Sequence, residues 1–335
     1  FSYKTAGLAQ RVRRLKPLWR RNGIRVARLV QGGVDLHLDE AARMGHVQII
    51  GTTGRGKTQS VILPWMVRDL AQNRNVLLID GKGDPDLVDE LRQSAARHST
   101  APELVVFNLG DPKESCTTNP LECGSAQQIT DRLFAALEFQ DPFYKGVQLN
   151  TASSVISLIQ EVDRTEESRG VVTFRRLHEL LTQPEALAKA TSQCWNAGLK
   201  AKLLKLLSLP AKERENLLMG LDSQIGPFAE GELAPLVNGP VEGKDHLTIS
   251  EVILGHWETN PMAFMVLLPT LKYQQLGLQL GKLLLQEVGW AAGERSSRGG
   301  AWGKPLAPVY LDEFSAFVYP GFENILNKAR SSRVA

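Results

Sequence analysis

Along residues 45–121, short uninterrupted apolar runs alternate with longer stretches in which apolar positions recur at helical spacing. Short apolar runs bounded by turn residues read as strands, and the 3.6-residue period reads as amphipathic helix. This predicts strands at 47–50 (VQII), 75–80 (NVLLID) and 104–109 (LVVFNL), with helices at 57–72 and 86–98 between them. From residue 124 to about 242 the pattern turns wholly helical, at 126–139, 149–162, 174–193 and 198–209. Alternation then resumes with a strand at 261–269 (PMAFMVLLP), a long helix at 271–292 and a strand at 307–314 (APVYLDEF). Strands and helices in turn predict an α/β fold around a mainly parallel sheet. The simplest topology is one α/β domain interrupted by an all-α insertion; two consecutive domains are the alternative.

The junction between the first expected strand and its helix carries GTTGRGKT, residues 51–58, which matches G-x-x-x-x-G-K-[ST] at every defined position. Gly51, Gly54 and Gly56 let the backbone bend until successive N–H groups point at one anion. The helix starting near Gly56 adds its positive end. Lys57 is placed to reach the β- and γ-phosphates, as a catalytic lysine, and Thr58 to offer a hydroxyl to Mg2+. The expected nucleotide contacts are Gly51, Thr52, Thr53, Gly54, Arg55, Gly56, Lys57, Thr58 and Gln59, with ATP and Mg2+ as ligands. Arg55 occupies a variable position and carries no expected catalytic role.

Two expected strands end in aspartate: Asp80, followed by Gly81-Lys82-Gly83-Asp84, and Asp312, followed by Glu313. At such a site one aspartate orients water on the metal and a neighbouring carboxylate polarises the attacking water. The second strand alone supplies an adjacent acid. Asp312 is therefore expected beside Thr58 at the metal, and Glu313 as the water-activating base. Asp80 and Lys82 are accessory positions in a nearby tight turn. Between Lys57 and Asp312 lie 254 residues, more than a simple kinase or switch requires, which points to a motor-type ATPase with an embedded module.

Charge adds one asymmetry. Residues 1–34 carry nine basic side chains and no acidic one, which leaves 30 basic against 36 acidic in the rest. Such a leader fits a segment beside a cytoplasmic membrane face, a nucleic-acid arm or a solvated linker. The three cysteines, Cys116, Cys123 and Cys194, have no C-x-x-C spacing, so neither a disulfide framework nor a zinc site is expected. The longest apolar run, MAFMVLLP, is far shorter than the roughly 20 residues of a spanning helix.

Four motifs in order, HVQIIGTTGRGKT, LLIDGKGD, TTNPLE and VYLDEFSAF, resemble those of the type IV coupling proteins, the conjugative DNA-transfer ATPases of the TraG/TraD kind. Gly81 departs from that pattern by replacing its usual proline. The resemblance implies a RecA-like P-loop NTPase whose sheet is interrupted by an all-α domain. The boundaries implied are a basic juxtamembrane leader at 1–34, nucleotide-binding segments at 35–123 and 243–335, and the insertion at 124–242. It also implies a homo-hexameric ring in which an arginine from the next subunit completes each site, with Arg330 at the matching position and Arg333 as the alternative. Such a motor would pass single-stranded DNA through its pore, take relaxase, relaxosome or effector proteins as cargo, and engage type IV secretion channel components. The place implied is the cytoplasmic face of a bacterial inner membrane, with the anchor absent from this stretch of chain. An FtsK-like translocase or another secretion ATPase is a second expectation, against which the helical insertion argues. A nucleotide-binding substrate receptor with little motor activity is a third.

Overall fold

A computed structural model of the chain describes residues 23–29, 34–52, 54, 56–97, 102–139, 141–164, 170–255, 261–297 and 304–335. Most of the basic leader, and Thr53 and Arg55 of the glycine-rich loop, lie outside these residues. An antiparallel ribbon of β1 (Ile24–Leu29) and β2 (Val34–Leu38) precedes a four-stranded parallel sheet. The sheet contains β3 (Val76–Asp80), β4 (Glu103–Asn108), β5 (Met262–Leu267) and β6 (Val309–Asp312), in the order β4-β5-β3-β6. β3 and β5 are buried along their whole length, as strands of a parallel sheet covered on both faces must be.

Side-chain alternation splits that burial between two cores. Val76, Leu78, Ala263 and Met265 face Leu63, Met66, Val67 and Leu70 of α2 (Leu63–Leu70), which follows the short helix α1 (Glu40–Arg43) in the chain. Leu77, Ile79, Phe107 and Phe264 face the opposite side and join the helices of the insertion in one continuous core. After α3 (Asp86–Arg97), those helices are α4 (Ala126–Ala136), α5 (Pro142–Val162), α6 (Phe174–Thr182), α7 (Pro184–Gln193), α8 (Ala197–Leu207), α9 (Ala211–Ala229) and α10 (Ala234–Val237), and α11 (Ile249–Leu254) follows the insertion in the same core. The chain returns through β5 to the long helix α12 (Gln274–Ser297), and α13 (Glu323–Lys328) follows β6. The expected α/β fold with an all-α insertion is the one observed.

Local departures have local causes. Residues 46–50 form no strand, and Val47 and Ile50 are exposed. A strand needs an edge to satisfy its backbone groups, and the outer side of β6 is engaged at its start by the Ala307–Val334 bridge and by Val309 N–H donating to Ala335 O. Residues 24–29, expected within the basic leader, instead pair with β2, and Ile24 is buried. The helix expected at 174–193 is two helices, because Gln183, held extended ahead of Pro184, separates them. The helix after the glycine-rich loop begins as a π-turn at Thr58–Ile62. Pro64 cannot donate to the Ser60 carbonyl, and a widened turn just ahead of it accommodates that loss.

Behind the glycine-rich loop lies a buried charge network. Asp69, fully buried, accepts two hydrogen bonds from the Arg43 guanidinium at 2.7 Å, one from Arg74 at 2.8 Å and one from the Tyr310 hydroxyl at 2.6 Å. Glu40 binds both Arg74 and Arg333. Burial and the neighbouring Asp69 charge hold the Tyr310 phenol well above its ordinary pKa. The network ties α1, α2, β6 and the carboxy-terminal turn into one unit.

Removing one member leaves buried charges unpaired, so Asp69→Ala should cost about 3–5 kcal/mol of unfolding free energy by urea denaturation. A second test uses Glu287 on α12, which is buried and accepts hydrogen bonds from Ser250 N–H and Oγ–H at 2.9 and 2.7 Å. Burial pushes its carboxyl above the ordinary range. An acid of raised pKa holds its proton more tightly in the folded chain, so its contribution falls as pH climbs from about 4.3 to the raised value. Glu287→Gln removes that fall: its melting temperature should exceed the parent's at neutral pH and converge with it in mild acid.

Candidate functional site

The chain reaches residue 51 without strand structure and turns at Gly54 and Gly56, whose φ values of +75° and +76° lie in the left-handed region. The Lys57 ammonium donates to the carbonyls of Gly51 at 3.0 Å and Thr52 at 3.5 Å, so the lysine arches over the loop that precedes it. Ser60 N–H donates to Gly56 O at 2.7 Å, which closes the first turn. Gly51, Thr52, Gly54 and Gln59 are exposed; Gly56, Lys57 and Thr58 are half-buried. Gln59 also donates to Glu90 on α3.

β6 supplies the other half of the site. It pairs with β3 in parallel register, so Asp312 stands beside Asp80 at the same end of the sheet. The Thr58 hydroxyl donates to Asp312 Oδ2 at 2.5 Å, a contact between residues 254 apart in sequence. Asp312 Oδ1 accepts from the Glu313 N–H at 3.0 Å. Glu313 itself sits at φ 49° and ψ 31°, a left-handed conformation uncommon outside glycine and worth a functional reading. That conformation turns the chain sharply after the strand and leaves the Glu313 side chain exposed.

The two aspartates have different environments. Both carboxylate oxygens of Asp80 are taken by backbone donors, Lys82 N–H and Asp84 N–H, each at 2.9 Å. Burial raises the Asp80 pKa against those two hydrogen bonds, and the facing Asp312 adds to the rise. Lys82 is exposed and pairs with Asp84 at 2.6 Å, an interaction that raises its pKa. Asp80 thus organises the turn that carries Lys82. The turn has no room for larger residues. A Cβ on Gly83, at φ +69°, would lie 2.7 Å from Pro269 N, and one on Gly81 would lie 2.8 Å from the Phe317 ring.

Thr58 and Asp312 present hard oxygen donors side by side, the chemistry Mg2+ selects; that ion takes one or two protein oxygens and completes its shell with phosphate and water. Among the described residues no group of three or more His, Cys, Asp or Glu could hold a metal ion by itself. The two arginine candidates differ. Arg333 pairs with Glu40 and sits at φ 56°. Arg330 is exposed on the turn Ala329–Ser332 and forms no ion pair among the described residues. Asp69 escaped sequence reasoning; its signal was a lone acid on the apolar face formed by Met66, Val67 and Leu70.

No protein-family profile matches the chain, and no curated protein matches it by sequence. By structure it is similar to the bacterial conjugative coupling protein TrwBdeltaN70. The trigonal form of that protein in complex with sulphate matches at 14% identity and a TM-score of 0.56, covering 95% of this chain and 68% of that one. Its unbound monoclinic form matches at 14% and 0.56, covering 96% of this chain and 66% of that one. This chain thus spans about two thirds of the length of those structures. At that identity the likeness establishes the fold alone, an α/β architecture around a mainly parallel sheet.

If Lys57 grips phosphate, Lys57→Ala should weaken ATP binding by about tenfold or more, the loss of one charge-assisted contact. Calorimetric titration with the nucleotide reads this directly. An unchanged affinity would remove Lys57 from the site.

Proposed function

We propose that the chain is the nucleotide-hydrolysing core of a coupling-protein-like motor that delivers DNA and attached protein to a type IV secretion channel. The observation that carries the reading is the Thr58–Asp312 hydrogen bond, which joins the phosphate loop to the Asp-Glu strand end across the whole insertion. On this reading residues 35–123 and 243–335 form one nucleotide-binding domain, and residues 124–242 form the inserted module.

The residues divide the work. Backbone N–H groups of residues 51–58 and the Lys57 ammonium bind the phosphates of ATP. Mg2+, when bound with ATP, neutralises charge on the phosphates. Thr58 and Asp312 are the residues that would hold that ion. Glu313, exposed beside Asp312, orients and polarises the attacking water. Arg330 reaches the site of the next subunit in a hexameric ring and stabilises charge on the transferred phosphoryl group. Its exposure, and its having no ion pair among the described residues, suit that role better than the engaged Arg333 does. Asp80 and Lys82 shape the wall of the site. Single-stranded DNA in the ring pore, relaxosome or effector cargo, and a membrane anchor beside the basic leader complete the proposed machine.

Steady-state hydrolysis and nucleotide binding, measured together on the chain with single-stranded DNA present, test the division of roles. Glu313→Gln should bind ATP as the parent does and hydrolyse it about 100- to 10,000-fold more slowly. Arg330→Ala should lose turnover by about 1,000-fold or more with binding intact, and Arg333→Ala should instead lose stability. Parent-like turnover in Glu313→Gln would refute the assignment.

A further inference from the structure

The turn after β3 holds a second lysine against the end of β6. Gly81 N–H donates to Asp312 O at 3.1 Å, and Gly81 O accepts from Thr270 N–H and Oγ–H at 3.3 and 2.8 Å. A Cβ on Gly81 would lie 3.0 Å from Glu313 O, so the turn abuts the backbone of both Asp312 and Glu313. Asp80 clamps the rest of the turn through Lys82 N–H and Asp84 N–H. The backbone at Lys82 is thereby fixed on the segments that follow β5 and β6, while its side chain stays 67% exposed.

Charge gives this lysine a task. Among the described residues of the glycine-rich loop and of the turns at 80–84 and 312–314, the carboxylates are Asp80, Asp84, Asp312 and Glu313, and the cations are Lys57 and Lys82. A γ-phosphate brought up to Thr58 and Asp312 adds further negative charge, which must be balanced as the phosphoryl group transfers. Lys57 approaches Asp312 from the loop side, next to Thr58, and Lys82 approaches it from the β3 side. The Lys82 ammonium donates to Asp84 Oδ2 at 2.6 Å. That hydrogen bond chiefly raises its pKa, and the charges of Asp80 and Asp312 add to the rise, so the ammonium is charged and feels the Asp312 carboxylate. An exposed pair of this kind contributes little net energy. Lysine swings on a long flexible stem with three donors, and a phosphate carries more charge than the Asp84 carboxylate with which it competes.

We propose that Lys82 is a second phosphate-gripping lysine, which the salt bridge to Asp84 holds in reserve and which moves to the γ-phosphate when ATP fills the loop at 51–58. This rests on the ATP-hydrolysing reading of the site and adds to it the residue that distinguishes ATP from ADP.

The test is calorimetric titration of the chain with Mg-ATP and with Mg-ADP, for the parent and two variants. The parent should prefer ATP. Lys82→Gln keeps the length of the side chain and removes its charge; it should weaken ATP binding about tenfold and leave ADP binding unchanged. Asp84→Asn releases Lys82 and keeps an oxygen for the Asp86 N–H, which donates to Asp84 Oδ1 at 3.2 Å. It should tighten ATP binding about two- to fivefold, again without changing ADP. A salt bridge that only braces the turn predicts that the two variants shift affinity in the same direction, because each removes the same bond. That result, an ATP preference intact in Lys82→Gln, or a loss that falls equally on ADP would each overturn the proposal and leave the Lys57 site standing. A parent that binds neither nucleotide would overturn the phosphate-loop reading, and this contact with it.

Discussion

The parallel pairing of β3 with β5 on one edge and β6 on the other is the constraint on which the rest of the structure depends. It takes two strands that arrive after a long helical insertion and places their ends level with Asp80. Register then does the chemistry's positioning: Asp312 cannot stand beside Asp80, or reach Thr58, unless Leu77 pairs with Val309. A slip of one residue would turn Asp312 to the opposite face. The long covalent detour therefore costs the site little precision, because the fully buried β3 and β5 hold one register.

Rigidity behind the loop comes from a different source. Asp69, Arg43, Arg74, Tyr310, Glu40 and Arg333 form a chain of ion pairs and hydrogen bonds from α1 to the carboxy-terminal turn. Such a buried network is weak evidence for net stability, since desolvation offsets much of the attraction. Its consequence here is geometric: it couples the helix after the glycine-rich loop to β6 and to the segment bearing Arg330. It also sorts the two arginines, committing Arg333 to structure and leaving Arg330 exposed.

What could be read from the chain was whatever short-range pattern determines. β3 to β6 are apolar runs bounded by Gly, Pro or Asn, and each appears within a few residues of its expected place. The glycine-rich loop is legible because its residue types are dictated by local backbone geometry. Residues 47–50 misled because an apolar run shows burial tendency and says nothing about an available edge. β1 and β2 were missed because the arginines of residues 24–29 mask their alternation. The Thr58–Asp312 contact and the Asp69 network are long-range products of topology. No spacing within the chain encodes them.

The central claim is that Thr58 and Asp312, together with the loop at 51–58, form one Mg-nucleotide site. A crystal structure with Mg2+ and a non-hydrolysable ATP analogue tests it most directly. The expected result is phosphate cradled by the loop, with the ion about 2.0–2.1 Å from the Thr58 hydroxyl oxygen and Asp312 holding one of its waters. An ion bound to Asp80, or phosphates seated away from residues 51–58, would contradict the account.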